Sequence, residues 1–154
     1  MQSSSDIAEA IPTPVRGCTN FKLKQLTRRV TRHYERFMDG AGLKITQYSL
    51  LSHVTALGPV GAGELAARME LGPSTLTRNL QPLVDMGWIV IRTGADARSR
   101  IVAATAAGLA QRALAQKAWK RAQLALNEQL GQQHVAALHA LLDDCLARLE
   151  DTDD

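Results

Sequence analysis

Ser74, Thr75, Gln81 and Asp85 flank Arg78 on one side of a helical wheel whose other side carries Leu76, Leu80, Leu83 and Val84. A short way downstream, Asp96, Arg98 and Arg100 alternate along the chain. Hydroxyls and helix N-terminal amides suit phosphate oxygens, and an arginine presents a bidentate fork to the major-groove edge of guanine. The chemistry on offer is recognition of a polyanion. No nucleophile-base pairing, P-loop, dinucleotide fingerprint or metal motif stands in local sequence, so neither an enzyme nor a cofactor is expected. His134 and His139 are five apart and point to different faces of a helix, while His33 and His53 lie on separate segments, so no metal site is expected either. Taken alone, the polar face could simply be solvated. Its flanking elements decide.

Gly72 is an acceptable N-cap and Pro73 fits the first helical position, where a missing N–H is no loss. Before them, Gly61 to Met69 carries Leu65, Ala66 and Met69 on one side, and Glu70-Leu71-Gly72 is a short break. Two short helices joined by a tight turn form a helix-turn-helix. Gly87 can supply a left-handed helix end, Trp88 to Ile91 is β-prone, Thr93 to Asp96 is a turn cluster, and Ile101 to Ala103 is a second short strand. A hairpin placed there is a wing. Its Arg98 is expected to enter a minor groove, with Asp96 orienting a nearby arginine through a charge-assisted bond. Pro82 predicts a bend in the reading helix, leaving base contacts to Ser74 through Arg78.

The expected fold is mainly α with a small β-hairpin wing: a winged helix-turn-helix plus a helical dimerisation platform. Residues 1–17, with Pro12, Pro14 and three consecutive serines, read as a flexible arm. Residues 18–57 hold two helices, the first from Thr19 or Asn20 to about Asp39 and the second capped by Thr46 and stopped at Gly58-Pro59. The reading module spans 58–104. Residues 105–154 hold a long helix capped by Thr105, a break at Gly131, and a last helix whose stripe of Leu138, Leu141, Leu142, Cys145 and Leu149 places Cys145 in a packed interior. That stripe exceeds what a small domain can cover and predicts a second copy. A two-fold dimer reading an inverted repeat also multiplies the few base pairs that one helix touches.

Net charge is +3, but residues 1–142 carry 17 basic and 9 acidic groups, +8, while the tail is acidic. A basic body favours phosphate backbones and fast, salt-sensitive association. No apolar run approaches a membrane span, and Met1 to Arg16 lacks the apolar core of a secretory signal, so the cytoplasm is expected.

In this order and spacing, Ser74-Thr75-Leu76-Thr77-Arg78, Gly87-Trp88-Ile89, Asp96-Ala97-Arg98-Ser99-Arg100 and Thr105-Ala106-Ala107-Gly108 resemble the MarR family of winged-helix regulators from about Cys18 onward. Two departures stand out: Ala104 replaces the usual Leu before the Thr, and Pro82 sits inside the recognition helix. The resemblance implies DNA contacts from Ser74, Thr75, Thr77, Arg78, Gln81, Asp96, Arg98 and Arg100, and a dimer interlocked through the first and last two helices. It also implies repression of an inverted-repeat operator, relieved by a small aromatic carboxylate or phenol in a crevice near the first two helices. Mapped onto this chain, the crevice candidates are Arg32, His33, Tyr48, Ser52 and His53, beside a stripe of Lys24, Arg28, Arg32 and Arg36 at i, i+4. Hydroperoxide-sensing members place a reactive cysteine near the start of the first helix, which makes Cys18, near Lys22, a redox candidate. Cys18 falls two residues earlier than theirs. Tyr34 matches one helping tyrosine, but Ile45 stands where the second is expected. A helical interaction module that binds no DNA is the alternative from another class, and it leaves the wing without a role.

Overall fold

The structure, a computed structural model, describes residues 16–150; most of the expected arm, residues 1–15, and the end of the acidic tail, residues 151–154, lie outside the described residues. In chain order come α1 (Thr19–Met38), a 3-10 turn (Asp39–Ala41), α2 (Ile45–Leu57), β1 (Val60–Gly61), α3 (Ala62–Arg68) and α4 (Pro73–Asp85). β2 (Ile89–Thr93), β3 (Arg100–Ala104), α5 (Ala106–Leu130) and α6 (Gln132–Glu150) follow. No helix among the described residues is long and apolar enough to cross a membrane.

α5 is the spine. Its buried positions are small, Gly108, Ala115, Ala118 and Ala122, and they recur at helical spacing, so neighbouring helices approach closely. α1 lies along it, with His33 Nε2 donating to the Ala122 carbonyl at 2.8 Å and the Tyr34 hydroxyl donating to Gln123 Oε1. α2 lies beside α1, where Tyr48 stacks on Trp119 with ring centroids 6.0 Å apart. Met38, Leu51 and Val54 from this layer join Leu65, Leu83, Ile89 and Val102 from the reading module in one continuous core.

Three local details differ from the sequence expectation. Thr46 lies inside the first turn of α2, and the N-cap position belongs to Lys44. Gln47 Oε1 accepts the Lys44 N–H at 3.0 Å, and Glu35 Oε1, reaching over from α1, accepts that of Ile45 at 3.0 Å. A local side chain, Gln47, and one distant in sequence, Glu35, therefore share the orphan amides, so Thr46 was not needed as the cap. Next, β1 was not expected; it pairs Val60 with Val102 and Gly61 with Ile101, extending the hairpin to a sheet of order β1-β3-β2. Two residues are too few for a periodic signal, and their pairing exists only once β3 is in place. Finally, Cys145 is exposed, because α6 buries none of its residues in the single chain.

α4 runs through Pro82 to Asp85 without interruption. The proline removes only the bond to the Arg78 carbonyl, on the solvent-facing side of the helix. Gly87, at φ +74°, then closes the helix: its N–H donates to the Val84 carbonyl at 2.9 Å and the Trp88 N–H to that of Leu83 at 2.9 Å. This is the paired bonding of a Schellman motif. Between α3 and α4 the chain turns on Glu70, a non-glycine residue at φ +53°.

Two substitutions test these backbone demands. A Cβ on Gly108 would stand 2.0 Å from the Trp88 carbonyl oxygen, so Gly108→Ala should lower the free energy of unfolding by about 3 kcal/mol. Glu70→Gly should raise it by about 1 kcal/mol, because glycine takes the left-handed region without the Cβ clash. Urea unfolding followed by circular dichroism reads both signs.

Candidate nucleic-acid interface

α4 turns the polar face of its wheel to solvent: Ser74, Thr77, Arg78 and Gln81 are exposed, and Thr75 is half-buried. The Leu76 N–H is taken by the Gly72 carbonyl at 3.0 Å and Pro73 has no N–H, which leaves the amides of Ser74 and Thr75 as the outward donors of the first turn. The Thr77 hydroxyl donates back to the Pro73 carbonyl at 2.9 Å, and the Gln81 amide donates to Asp85 Oδ1 at 2.7 Å. Arg78 makes one long contact, from Nε to the Ser74 carbonyl at 3.5 Å. Its guanidinium is therefore free to take a ligand.

The wing tip is organised by Asp96 and Ser99. Asp96 Oδ1 accepts the backbone N–H of Arg98 at 3.2 Å, and the Asp96 carbonyl accepts both the Ser99 hydroxyl at 2.8 Å and the Ser99 N–H at 2.9 Å. The expected bond from Asp96 to an arginine side chain is thus replaced by an Asx turn: the carboxylate is consumed by the backbone two residues on, which is its nearest donor. Arg98 and Arg100 stay exposed. With Ser99 they form one wall of a 450 Å³ groove whose other wall includes Pro73 and Thr77. The wing arginines and the first turn of α4 consequently face the same space.

A second cleft, of 200 Å³, joins Arg78 and Asn79 to Lys44, Thr46 and Gln47 at the start of α2. Sequence reasoning did not single out Lys44 or Asn79, since residues so far apart in the chain become neighbours only when α2 packs on α4.

The crevice candidates divide into two groups. Arg32 and His33 line a 360 Å³ cavity between α1 and α5 that includes none of the other three. Tyr48 is buried against Trp119, Ser52 Oγ accepts from Arg112 Nε at 3.3 Å, and His53 Nδ1 lies 2.7 Å from the Ser49 carbonyl, all on α2. His33 is buried too, its Nε2 occupied by Ala122. Cys18 is exposed at the N-cap position of α1. Tyr34 lies roughly 24 Å further along the same helix at 1.5 Å per residue, and burial pushes its phenol above the ordinary tyrosine range.

A family model described as MarR family matches residues 41–99. Over 84 residues the chain is 26% identical to the HTH-type transcriptional regulator YwoH of Bacillus subtilis (strain 168), covering 54% of this chain and 61% of that relative. The chain therefore matches about three-fifths of that relative's length. Among solved structures, the M. tuberculosis transcriptional regulator MosR in complex with DNA is 28% identical at a TM-score of 0.69, with 84% of this chain and 98% of that one covered. The transcriptional repressor CouR bound to a 23-mer DNA duplex is 25% identical at a TM-score of 0.76, with 84% and 92% covered. A mutant E. coli MarR complexed with operator DNA shares the fold at a TM-score of 0.75 and 21% identity, with 82% and 92% covered. With a helix-turn-helix, a wing and flanking helices, the chain has the winged-helix fold of these regulators, and its residues 41–99 match the MarR family.

Proposed function

We propose that the chain acts in the cytoplasm as a homodimeric repressor that reads an inverted-repeat operator and leaves it when a small aromatic acid or phenol binds. One observation carries the DNA-reading part: Pro73 and Thr77 at the start of α4 border a common groove with the wing arginines while Arg78 stands exposed on the same helix, which suits a helix in the major groove and a wing along the flanking minor groove. Dimerisation is supported by α6, which exposes Leu141, Leu146 and Leu149 by 62, 52 and 68% in the single chain, an apolar surface that a second copy would cover. The effector is supported by the cationic cavity at Arg32 and His33, with Tyr48, Ser52 and His53 on the adjoining helix as further candidates. Effector binding would favour a spacing of the two α4 helices that no longer fits the half-sites, and a coupling of about 2 kcal/mol suffices for a switch.

The reading helix and the wing should separate in fluorescence-anisotropy titrations against operator variants. Arg78→Ala should lose about 1–3 kcal/mol of discrimination at one position per half-site. Arg98→Ala should weaken all sequences alike and lower the salt slope by about 1. Full binding by the double variant would remove both arginines from the interface, and absence of operator binding by the wild type would return the chain to the non-DNA-binding alternative. Asp96→Ala offers a test of sign: losing a negative charge beside DNA strengthens binding if only electrostatics matter, whereas loss of the Asx turn weakens it, and weakening is the expected result.

Calorimetric titration of aromatic acids should show Arg32→Ala binding more weakly than wild type with operator affinity kept, while weakening by His53→Ala instead would move the site from the Arg32 cavity to α2. Equal affinities in all three would remove these residues from the site, and release by peroxide that depends on Cys18 would move the switch to oxidation.

A further inference from the structure

We infer that the cleft between α1 and α5 binds an organic dianion: an apolar body that carries a phosphate or a pair of carboxylates. The inference rests on the effector-responsive reading and specifies the charge of the ligand. Leu26, Val30, Leu126 and Leu130 give the 360 Å³ cavity an apolar lining. Arg29, Arg32 and Arg36 stand along one side, spanning about 10 Å of helix at 1.5 Å per residue. No acidic side chain is among the lining residues. None of the three guanidiniums has an ion pair or hydrogen bond among the described residues, where the one ion pair is Arg148 with Asp144 on α6. A neighbouring cavity shares His33, Arg36 and Gln129 and adds Phe37, so the cleft continues past a single ring's length.

Three cations at spacings of three and four residues repel one another, and an anion on their common side relieves that repulsion. A monocarboxylate occupies one guanidinium in bidentate fashion and leaves two unpaired, whereas a phosphate monoester brings close to two charges and three acceptor oxygens. Arginine stays protonated throughout, and His33 has its Nε2 committed to Ala122, so the guanidiniums set the charge of the site. The flank of α1 that faces α6 shares Leu26, Val30, Leu126 and Leu130 with this cleft but carries no arginine: Leu23, Thr27 and Tyr34 line a cavity there with Val135 and Leu138, an apolar surface suited to subunit packing. Uncompensated charge is depleted from the centre of such contacts, which separates the arginine flank from the packing flank.

The test is calorimetry of 1-naphthyl phosphate, 1-naphthoate and inorganic phosphate against the full chain and the double variant Arg29→Ala/Arg36→Ala, with operator affinity, melting temperature and dimer dissociation measured in parallel. The expected result is that naphthyl phosphate binds wild type about tenfold more tightly than naphthoate, as an additional charge-assisted bond pair implies, and that inorganic phosphate binds more weakly than either. The variant should lose that advantage while folding, dimerising and binding operator as wild type does. Unchanged ester binding in the variant, equal affinity for ester and carboxylate in wild type, or a variant that falls apart into monomers would each overturn the inference, the last by making the cleft a subunit contact. Operator release distinguishes the two levels. Release of both proteins by naphthoate without an arginine-dependent ester preference keeps the effector response and discards the dianion site; arginine-dependent ester binding without release keeps the site and discards the response.

Discussion

Where α5 begins, the Thr105 hydroxyl donates to the Gly87 carbonyl at 2.6 Å and accepts the Gly108 N–H at 3.0 Å, while the bare Cα of Gly108 lies against the Trp88 carbonyl. The Thr105 N–H donates to that same Trp88 carbonyl at 3.0 Å. Gly87 ends α4, Trp88 leads into β2, and Thr105 caps α5. One small cluster thus fixes the reading helix, the wing and the spine against one another. A side chain on Gly108 or a missing hydroxyl on Thr105 would loosen all three together, since every one of these bonds runs through Thr105. It is also one physical route by which a change in the helical layer can reach the reading surface: a shift of the first turn of α5 must move the Gly87 and Trp88 carbonyls or break their bonds.

The charges divide the molecule in a complementary way. Among the described residues the acid-base contacts are few, and the one ion pair is an exposed i,i+4 pair on α6 that contributes little. Arg78, Arg98 and Arg100 on the reading side, and Arg29, Arg32 and Arg36 on α1, are left without carboxylate partners. Uncompensated guanidiniums on two separate surfaces do not add to the stability of a single chain. They are available for ligands, and each surface pairs them with a different companion: hydroxyls and backbone amides on α4, leucines on α1 and α5. The first suits a hydrated phosphodiester backbone, the second a ligand that brings its own apolar surface.

The helical layer also shows why exposure cannot be read residue by residue. α5 buries small side chains, which lets α1 and α2 approach and leaves its own Leu114 and Leu124 outward; among the described residues, α6 buries none of its own. Its leucines have the spacing of a core helix and the exposure of a surface one. A core shared with a second copy, as proposed above, would reconcile those two properties.

The sequence by itself determined the order of elements, the helix-turn-helix, the Gly72-Pro73 start and Gly87 end of α4, the Thr105 cap and the outward face of Arg78, because each depends on spacing within one turn or on the φ preference of a single residue. Tertiary structure decided what depended on partners far along the chain. Glu35 from α1, not Thr46, serves the start of α2. β1 exists only as the partner of β3, and Cys145, expected inside a packed stripe, is exposed because α6 buries none of its described residues in the single chain. The crevice candidates were grouped by the resemblance to a family crevice near the first two helices, and the packing of α1 and α2 on α5 set Arg32 and His33 in one cavity and Tyr48, Ser52 and His53 elsewhere. Helical periodicity states which side of an element is apolar; which neighbour that side meets is settled by how closely two surfaces can approach, and here the glycine and alanines of α5 set that distance.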